Sequence, residues 1–169
     1  MSGGKGAFVV NVATLGREGH RHVQRQGSLP GLAVSASRVP DASEVGIDVE
    51  VEAVSGGVMV TGTVEADWLG ECRRCLGPAT GHLTTTVREL YERGSDGEET
   101  YPLEGDRLDL APLARDAVLL ELPQAALCGE QCRGLCPTCG ADLNQGDCGC
   151  PPAGGDPRWA ALDVLRGDD

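Results

Sequence analysis

The placement of eight cysteines constrains this chain more than any other feature. Six of them, Cys128, Cys132, Cys136, Cys139, Cys148 and Cys150, fall within 23 residues near the C-terminus. The other two form Cys72-Arg73-Arg74-Cys75, over fifty residues upstream. Cysteines two or three residues apart in a tight turn point both sulfurs at one ion. The opening MSGGKGAFVV lacks a charged start followed by a long apolar run, and no stretch approaches the roughly 20 apolar residues of a membrane span. A cytoplasmic location is therefore expected, where clustered cysteines serve as metal ligands more often than as disulfides.

Metal would matter to such a chain because its core is thin. Its 169 residues include 25 glycines and 10 prolines, but only one phenylalanine, two tyrosines and two tryptophans. A core of valine, leucine and alanine, at roughly 25 cal/mol per Å² of apolar surface, is marginal without help. A structural zinc ion is worth on the order of 10–16 kcal/mol in small peptides.

Cys136-Pro137-Thr138-Cys139-Gly140 reads as a zinc knuckle. Gly140 permits the positive φ that closes the turn, and backbone N–H groups inside it can donate to the thiolates. Cys148-Gly149-Cys150 is placed to complete that site. Cys72 and Cys75 need partners from elsewhere, and Cys128 and Cys132 are the pair left over. One partition is thus Cys72, Cys75, Cys128 and Cys132 for one site, with Cys136, Cys139, Cys148 and Cys150 for another. The alternative is a single zinc held by some of the last six, leaving Cys72 and Cys75 unmetallated or redox-active. Either way the cofactor is Zn²⁺ in one or two closed, structural sites. Thiol–disulfide exchange at Cys72 is disfavoured because it wants the first cysteine at a helix start, and Cys72 follows a strand. His82, seven residues past Cys75, is a lesser candidate ligand. No Ser/His/Asp ordering, phosphate-cradling glycine loop or carboxylate pair stands out, so no catalytic residues and no small-molecule substrate are expected.

Alternating apolar residues predict a mainly antiparallel sheet. Val45, Ile47, Val49, Val51 and Ala53 alternate with Asp48, Glu50 and Glu52. After Ser55-Gly56-Gly57 the pattern resumes on Val58, Val60, Val64, Ala66 and Trp68, the pattern of a hairpin with one wet face. Residues 7–12 and 83–91 read as further strands, whereas 13–30 and 92–107 read as loops. Leu110, Leu113, Ala114, Ala117, Val118 and Leu120 recur at helical spacing, with Asp109 as cap and Pro123 as stop. A short last helix starts at Asp156-Pro157. The expected class is α+β: residues 1–127 as a sheet domain with a covering helix near 110–121, and 128–169 as a cysteine-rich, zinc-ribbon-like module.

The formal charge is −12. Eight thiolates around two divalent ions would make it more negative still. Such a surface repels phosphate backbones and suits a basic protein better than bare nucleic acid. The local basic exception is Arg17, His20, Arg21, His22 and Arg25; Arg17, Arg21 and Arg25 are the candidates for a partner or RNA contact, against the plainer reading of a solvated loop.

The blocks ECRRCLGP at 71–78, DLAPLARDAVLLELP at 109–123, CGEQCRGLCPTCGADLN at 128–144 and DPRWAALDVL at 156–165 resemble the YceD family, the large ribosomal RNA subunit accumulation proteins. High-GC Gram-positive members are the most similar. The resemblance implies a non-enzymatic factor for accumulation of large-subunit rRNA, with a ribosomal protein or large-subunit precursor as partner, and with the eight cysteines as ligand candidates. A different class, a zinc-stabilised protein–protein adaptor or transcription-associated regulator, carries the same module.

Overall fold

A computed structural model describes residues 6–151 and Arg158. The expected helix at 156–165 lies outside the described residues. Within them, ten elements follow in order. They are β1 (Val9–Asn11), α1 (Leu15–Glu18), β2 (His20–Gly27), β3 (Ser37–Arg38) and β4 (Val45–Val54), then β5 (Gly57–Glu71), β6 (Pro78–Glu92), β7 (Tyr101–Pro102), β8 (Arg107–Asp109) and α2 (Ala111–Glu121). The main sheet runs β2-β4-β5-β6-β7, with β3 also paired to β5; β1 and β8 form a separate two-stranded ribbon. Every pairing is antiparallel except β6 with β7. The chain is therefore α+β and largely antiparallel.

The alternation in β4 and β5 produces the hairpin it predicts. Val45 pairs with Ala66 and Val54 with Gly57, so Ser55 and Gly56 form the loop, with Gly56 at φ 90°. Val45, Ile47, Val49 and Val51 face Val58, Val60, Val64 and Ala66 in one buried layer. Gly62 lets the two strands approach closely: a Cβ there would sit 2.1 Å from the Asp48 carbonyl oxygen. α2 covers this layer through Leu113, Ala114 and Val118. The cap position falls at Leu110, one residue after the expected Asp109, while the Asp109 carboxylate accepts from the Ala111 N–H at 3.0 Å. From the other end of the chain, Phe8, Val10 and Val12 enter the same core.

Two segments read as loops are more ordered than their composition suggested. Residues 13–30 contain α1 and an eight-residue strand, β2, in continuous register from His20↔Glu52 to Gly27↔Val45. HRHVQRQG has one buried side chain, Val23, too little apolar signal to read as a strand; the free edge of β4 supplies the backbone partners. In the acidic stretch 92–107, β7 pairs with the end of β6, and β8 begins at Arg107 to pair with β1. There the Tyr91 and Tyr101 rings stack with centroids 5.1 Å apart, and the Tyr101 hydroxyl donates to Asp116 on α2.

Beyond Ala66, the β5–β6 ribbon continues past the start of β4 to the pair Glu71↔Pro78. This extension carries the first cysteine pair at its tip. Trp68, half-buried, packs against both the main core and a second buried cluster made of Cys72, Ala79, Ala126 and Cys132. Its indole lies over Gly81, where a Cβ would come within 2.7–2.9 Å of the ring.

Candidate metal centres

Both CxxC segments fold into the same turn. In the first, between β5 and β6, the Leu76 N–H donates to the Cys72 carbonyl and the Cys72 N–H to the Gly77 carbonyl, each at 2.8 Å. In the second, the Gly140 N–H donates to the Cys136 carbonyl at 2.9 Å and the Cys136 N–H to the Ala141 carbonyl at 2.8 Å. The residue after the second cysteine turns left-handed in both, at φ 74° for Gly140 and φ 58° for Leu76. Leu76 thus does, with a Cβ and 59% exposed, what glycine does without steric cost in the other turn.

The chain following α2 docks on the first turn through its backbone. The Arg73 N–H donates to the Ala126 carbonyl at 2.9 Å, and the Leu135 N–H to the Arg74 carbonyl at 3.0 Å. The Arg74 guanidinium donates to the Cys132 and Glu130 carbonyls. Cys128 and Cys132 are thereby carried to Cys72 and Cys75. The Cys72 and Cys132 sulfurs are 3.7 Å apart, and those of Cys75 and Cys128 are 3.6 Å apart. All four Sγ atoms of this first centre lie within 4.8 Å of one another, as do those of a second centre made by Cys136, Cys139, Cys148 and Cys150.

These separations exclude disulfides, whose sulfurs are about 2.05 Å apart. They fit the edges of a tetrahedron around zinc, about 3.8 Å for Zn–S bonds of about 2.3 Å. The electrostatics fit as well. Backbone N–H groups, foremost that of Cys128 and then those of Cys75 and Arg74, hold the Cys72 thiol down to about 6 despite its burial. Those of Cys139 and Thr138 hold Cys136 down to about 6. In the same centres Cys128 is pushed up to about 12 by the sulfurs of Cys132, Cys75 and Cys72. Cys150 is pushed up to about 12, chiefly by the sulfurs of Cys139 and Cys148. Four crowded thiols cannot all ionise unless a cation shares the site. Each centre is able to hold one.

The two centres differ in setting. Cys72 is fully buried and Cys132 nearly so, whereas Cys139 and Cys148 are exposed. The second centre is local to residues 136–150, while the first joins the tip of the sheet to the segment after α2. His82 is not drawn into either; it sits in β6 with Nδ1 2.8 Å from the Asp67 carboxylate. The candidate arginines do not converge on the centres. Arg17 lies exposed in α1, and Arg21 in β2 is bound to Glu18, Thr14 and the Asn11 carbonyl. Arg25, further along β2, donates to the Gln24 carbonyl. Reasoning from spacing missed Leu76, Arg74 and Asn144, whose Nδ2 donates to the Cys132 sulfur at 3.4 Å; none of them carries a ligand-type side chain that would flag it.

Fold and centres together define a β-sheet scaffold carrying two four-cysteine clusters able to hold metal ions. A family model described as "Large ribosomal RNA subunit accumulation protein YceD" matches residues 60–166, which includes all eight cysteines. The chain belongs to the YceD family. An uncharacterized protein of Mycobacterium tuberculosis is 36% identical over 182 residues, covering 95% of this chain and 86% of that protein. One from Mycobacterium leprae is 33% identical over 171 residues, covering 95% and 78%. A protein of Arabidopsis thaliana called "Large ribosomal RNA subunit accumulation protein YCED homolog 1, chloroplastic" is 27% identical over 188 residues, covering 90% of this chain and 58% of that protein. No solved structure matches the chain.

Proposed function

We propose that each four-cysteine centre holds a structural Zn²⁺, and that the chain is a non-enzymatic factor supporting accumulation of large-subunit (23S) rRNA. The observation that carries the metal reading is the convergence of all eight thiols as two sets of four. A four-thiolate site is closed: it leaves no position for water or substrate, so the ion fastens the fold and does no chemistry. The rRNA role is supported by the family's description and by the name of the chloroplast relative.

The partner class follows from charge. A chain of net charge −12 is repelled by phosphate backbones and attracted to cationic protein surfaces. The reading is therefore a cytoplasmic protein that binds a basic ribosomal protein or a pre-50S particle, shielding cationic surface until delivery. Exposed Arg17 is the candidate for a local rRNA contact within such a particle; Arg21 and Arg25 would have to give up their bonds to Glu18, Thr14, Asn11 and Gln24 to join it. Affinity purification from growing cells at low and high salt, with zinc counted per chain, tests both halves. Nearly two zinc ions and salt-sensitive recovery of a basic ribosomal protein or 50S precursor are expected. Salt-insensitive binding to naked rRNA with no protein partner would overturn the partner reading, and one ion or none would overturn the metal reading.

A further inference from the structure

We infer that Asn144 is a positioning residue that couples the two centres, so that loading the second centre tightens metal binding at the first. The inference rests on the two-zinc reading above. Asn144 lies in the segment between Cys139 and Cys148, two ligands of the second centre, yet its Nδ2 donates to Cys132, a ligand of the first, at 3.4 Å. Its orientation is fixed. The Asn144 Oδ1 accepts from the Arg133 N–H at 2.8 Å, which obliges the NH₂ group to face the sulfur and the Asp142 carboxylate, 2.7 Å away. The Asp142 Oδ1 accepts from the Asn144 backbone N–H as well, at 2.9 Å.

The backbone closes the same circuit. The Leu143 N–H donates to the Gly134 carbonyl at 2.9 Å, and Leu135 bridges Asp142 while its own N–H donates to Arg74 in the first turn. Gly134 sits where even a Cβ would be only 3.0 Å from the Arg74 carbonyl oxygen. The segment 140–147 contributes no buried apolar side chain, so its order rests on these few hydrogen bonds and on being closed between Cys139 and Cys148. An ion in the second centre closes it and brings the amide to bear on the first. A hydrogen-bond donor aimed at a ligating thiolate offsets part of its charge and holds it in place, and loss of such partners lowers metal affinity about 10–100-fold.

The test is a titration of the metal-free full chain with Co²⁺, whose thiolate charge-transfer and ligand-field bands report coordination and whose competition with a chelator gives affinity. Asn144→Asp is the informative variant: it keeps the oxygen that Arg133 uses but turns an oxygen towards the sulfur. It should bind two ions, with the first centre weakened about tenfold or more and the affinity of the second unchanged when the first is empty. Removing the second centre by Cys148→Ser should weaken the first by a similar factor. In the double variant the two losses should not add, because both act through one contact. Asn144 is exposed, so neither fold nor core stands in the way of the measurement. A first-centre affinity within twofold of wild type in Asn144→Asp, or fully additive losses, would overturn the coupling while leaving the two-ion reading intact. Failure of the wild-type chain to bind two ions would instead strike the reading on which the coupling rests.

Discussion

Replacing Cys72 by serine should separate what the metal holds from what the core holds. Cys72 is fully buried at the tip of the β5–β6 ribbon and meets Cys132 from 60 residues away in sequence. The buried members of the apolar cluster around it are Cys72, Ala79, Ala126 and Cys132, with Trp68, Cys75 and Leu127 partly buried against them. At about 0.8 kcal/mol per buried CH₂, the four small side chains contribute about 3–4 kcal/mol, and half-burial of Trp68 and Leu127 adds about 2–3 kcal/mol. Fixing the backbone of the segment from Pro123 to Leu135 costs about 1–2 kcal/mol per residue, well above that sum. Hydrogen bonds at about 1 kcal/mol net each do not close the gap; a structural zinc, on the order of 10–16 kcal/mol, does. Cys72→Ser should therefore drop the metal count from two to one and free the segment after α2. The sheet should survive, because its core from Phe8 to Leu122 is a separate cluster. Limited trypsinolysis reads this directly: Arg73 and Arg74, held at the docked first turn by the Ala126, Glu130 and Cys132 carbonyls, should be cut at least about 100-fold faster, as local opening exposes them. In Cys148→Ser at micromolar free zinc, Arg74 should stay protected. Retention of two ions by Cys72→Ser, or collapse of the whole sheet with it, would refute the division between core and metal.

Three further outcomes are expected. Gly81→Ala places a methyl within 2.9 Å of the Trp68 indole; overpacking of that kind costs about 1–3 kcal/mol, and a lower melting temperature with a red-shifted Trp68 emission, read in a Trp159→Phe background, would show it. Leu76→Gly removes a left-handed leucine worth about 1–2 kcal/mol of strain and adds about 0.5–1 kcal/mol of glycine entropy. The zinc-loaded protein should melt at the same or a slightly higher temperature, and a clear destabilisation would count against strain at this turn. For pH, Cys72 and Cys136 are held down to about 6 from 9.0, so their thiolate contribution is complete above pH 9 and is lost as pH falls through about 6. Metal retained after equilibration against a chelator should therefore fall steeply below pH 6; loss on raising the pH from 7 to 8 would contradict the assignment.

How much of this was legible in the sequence depends on how local each signal is. The β4–β5 hairpin is written in period-two alternation around Ser55-Gly56, and α2 in the spacing of Leu113, Ala114 and Val118, although Leu120, read in the same stripe, is 87% exposed. The tight turn at Cys136–Gly140 is likewise a short-range motif, and hairpin, helix and turn appear where they were expected. β2 is different. With Val23 as its one buried residue, it becomes a strand only because β4 presents an unpaired edge to it. β8 is similar, since its partner β1 lies almost a hundred residues away in sequence.

The residue types and their short spacings determined by themselves that this chain would be a largely antiparallel, acidic, thinly cored protein with paired thiols. Nearest-neighbour chemistry suffices for that, because turn closure, alternation and charge are properties of a few consecutive residues. Only the tertiary structure decided that Cys72 and Cys75 meet Cys128 and Cys132, that Leu76 occupies a glycine's conformation, and that Asn144 reaches from one centre to the other. Those contacts depend on where the β5–β6 ribbon ends relative to the chain leaving α2, a distance that no local pattern encodes.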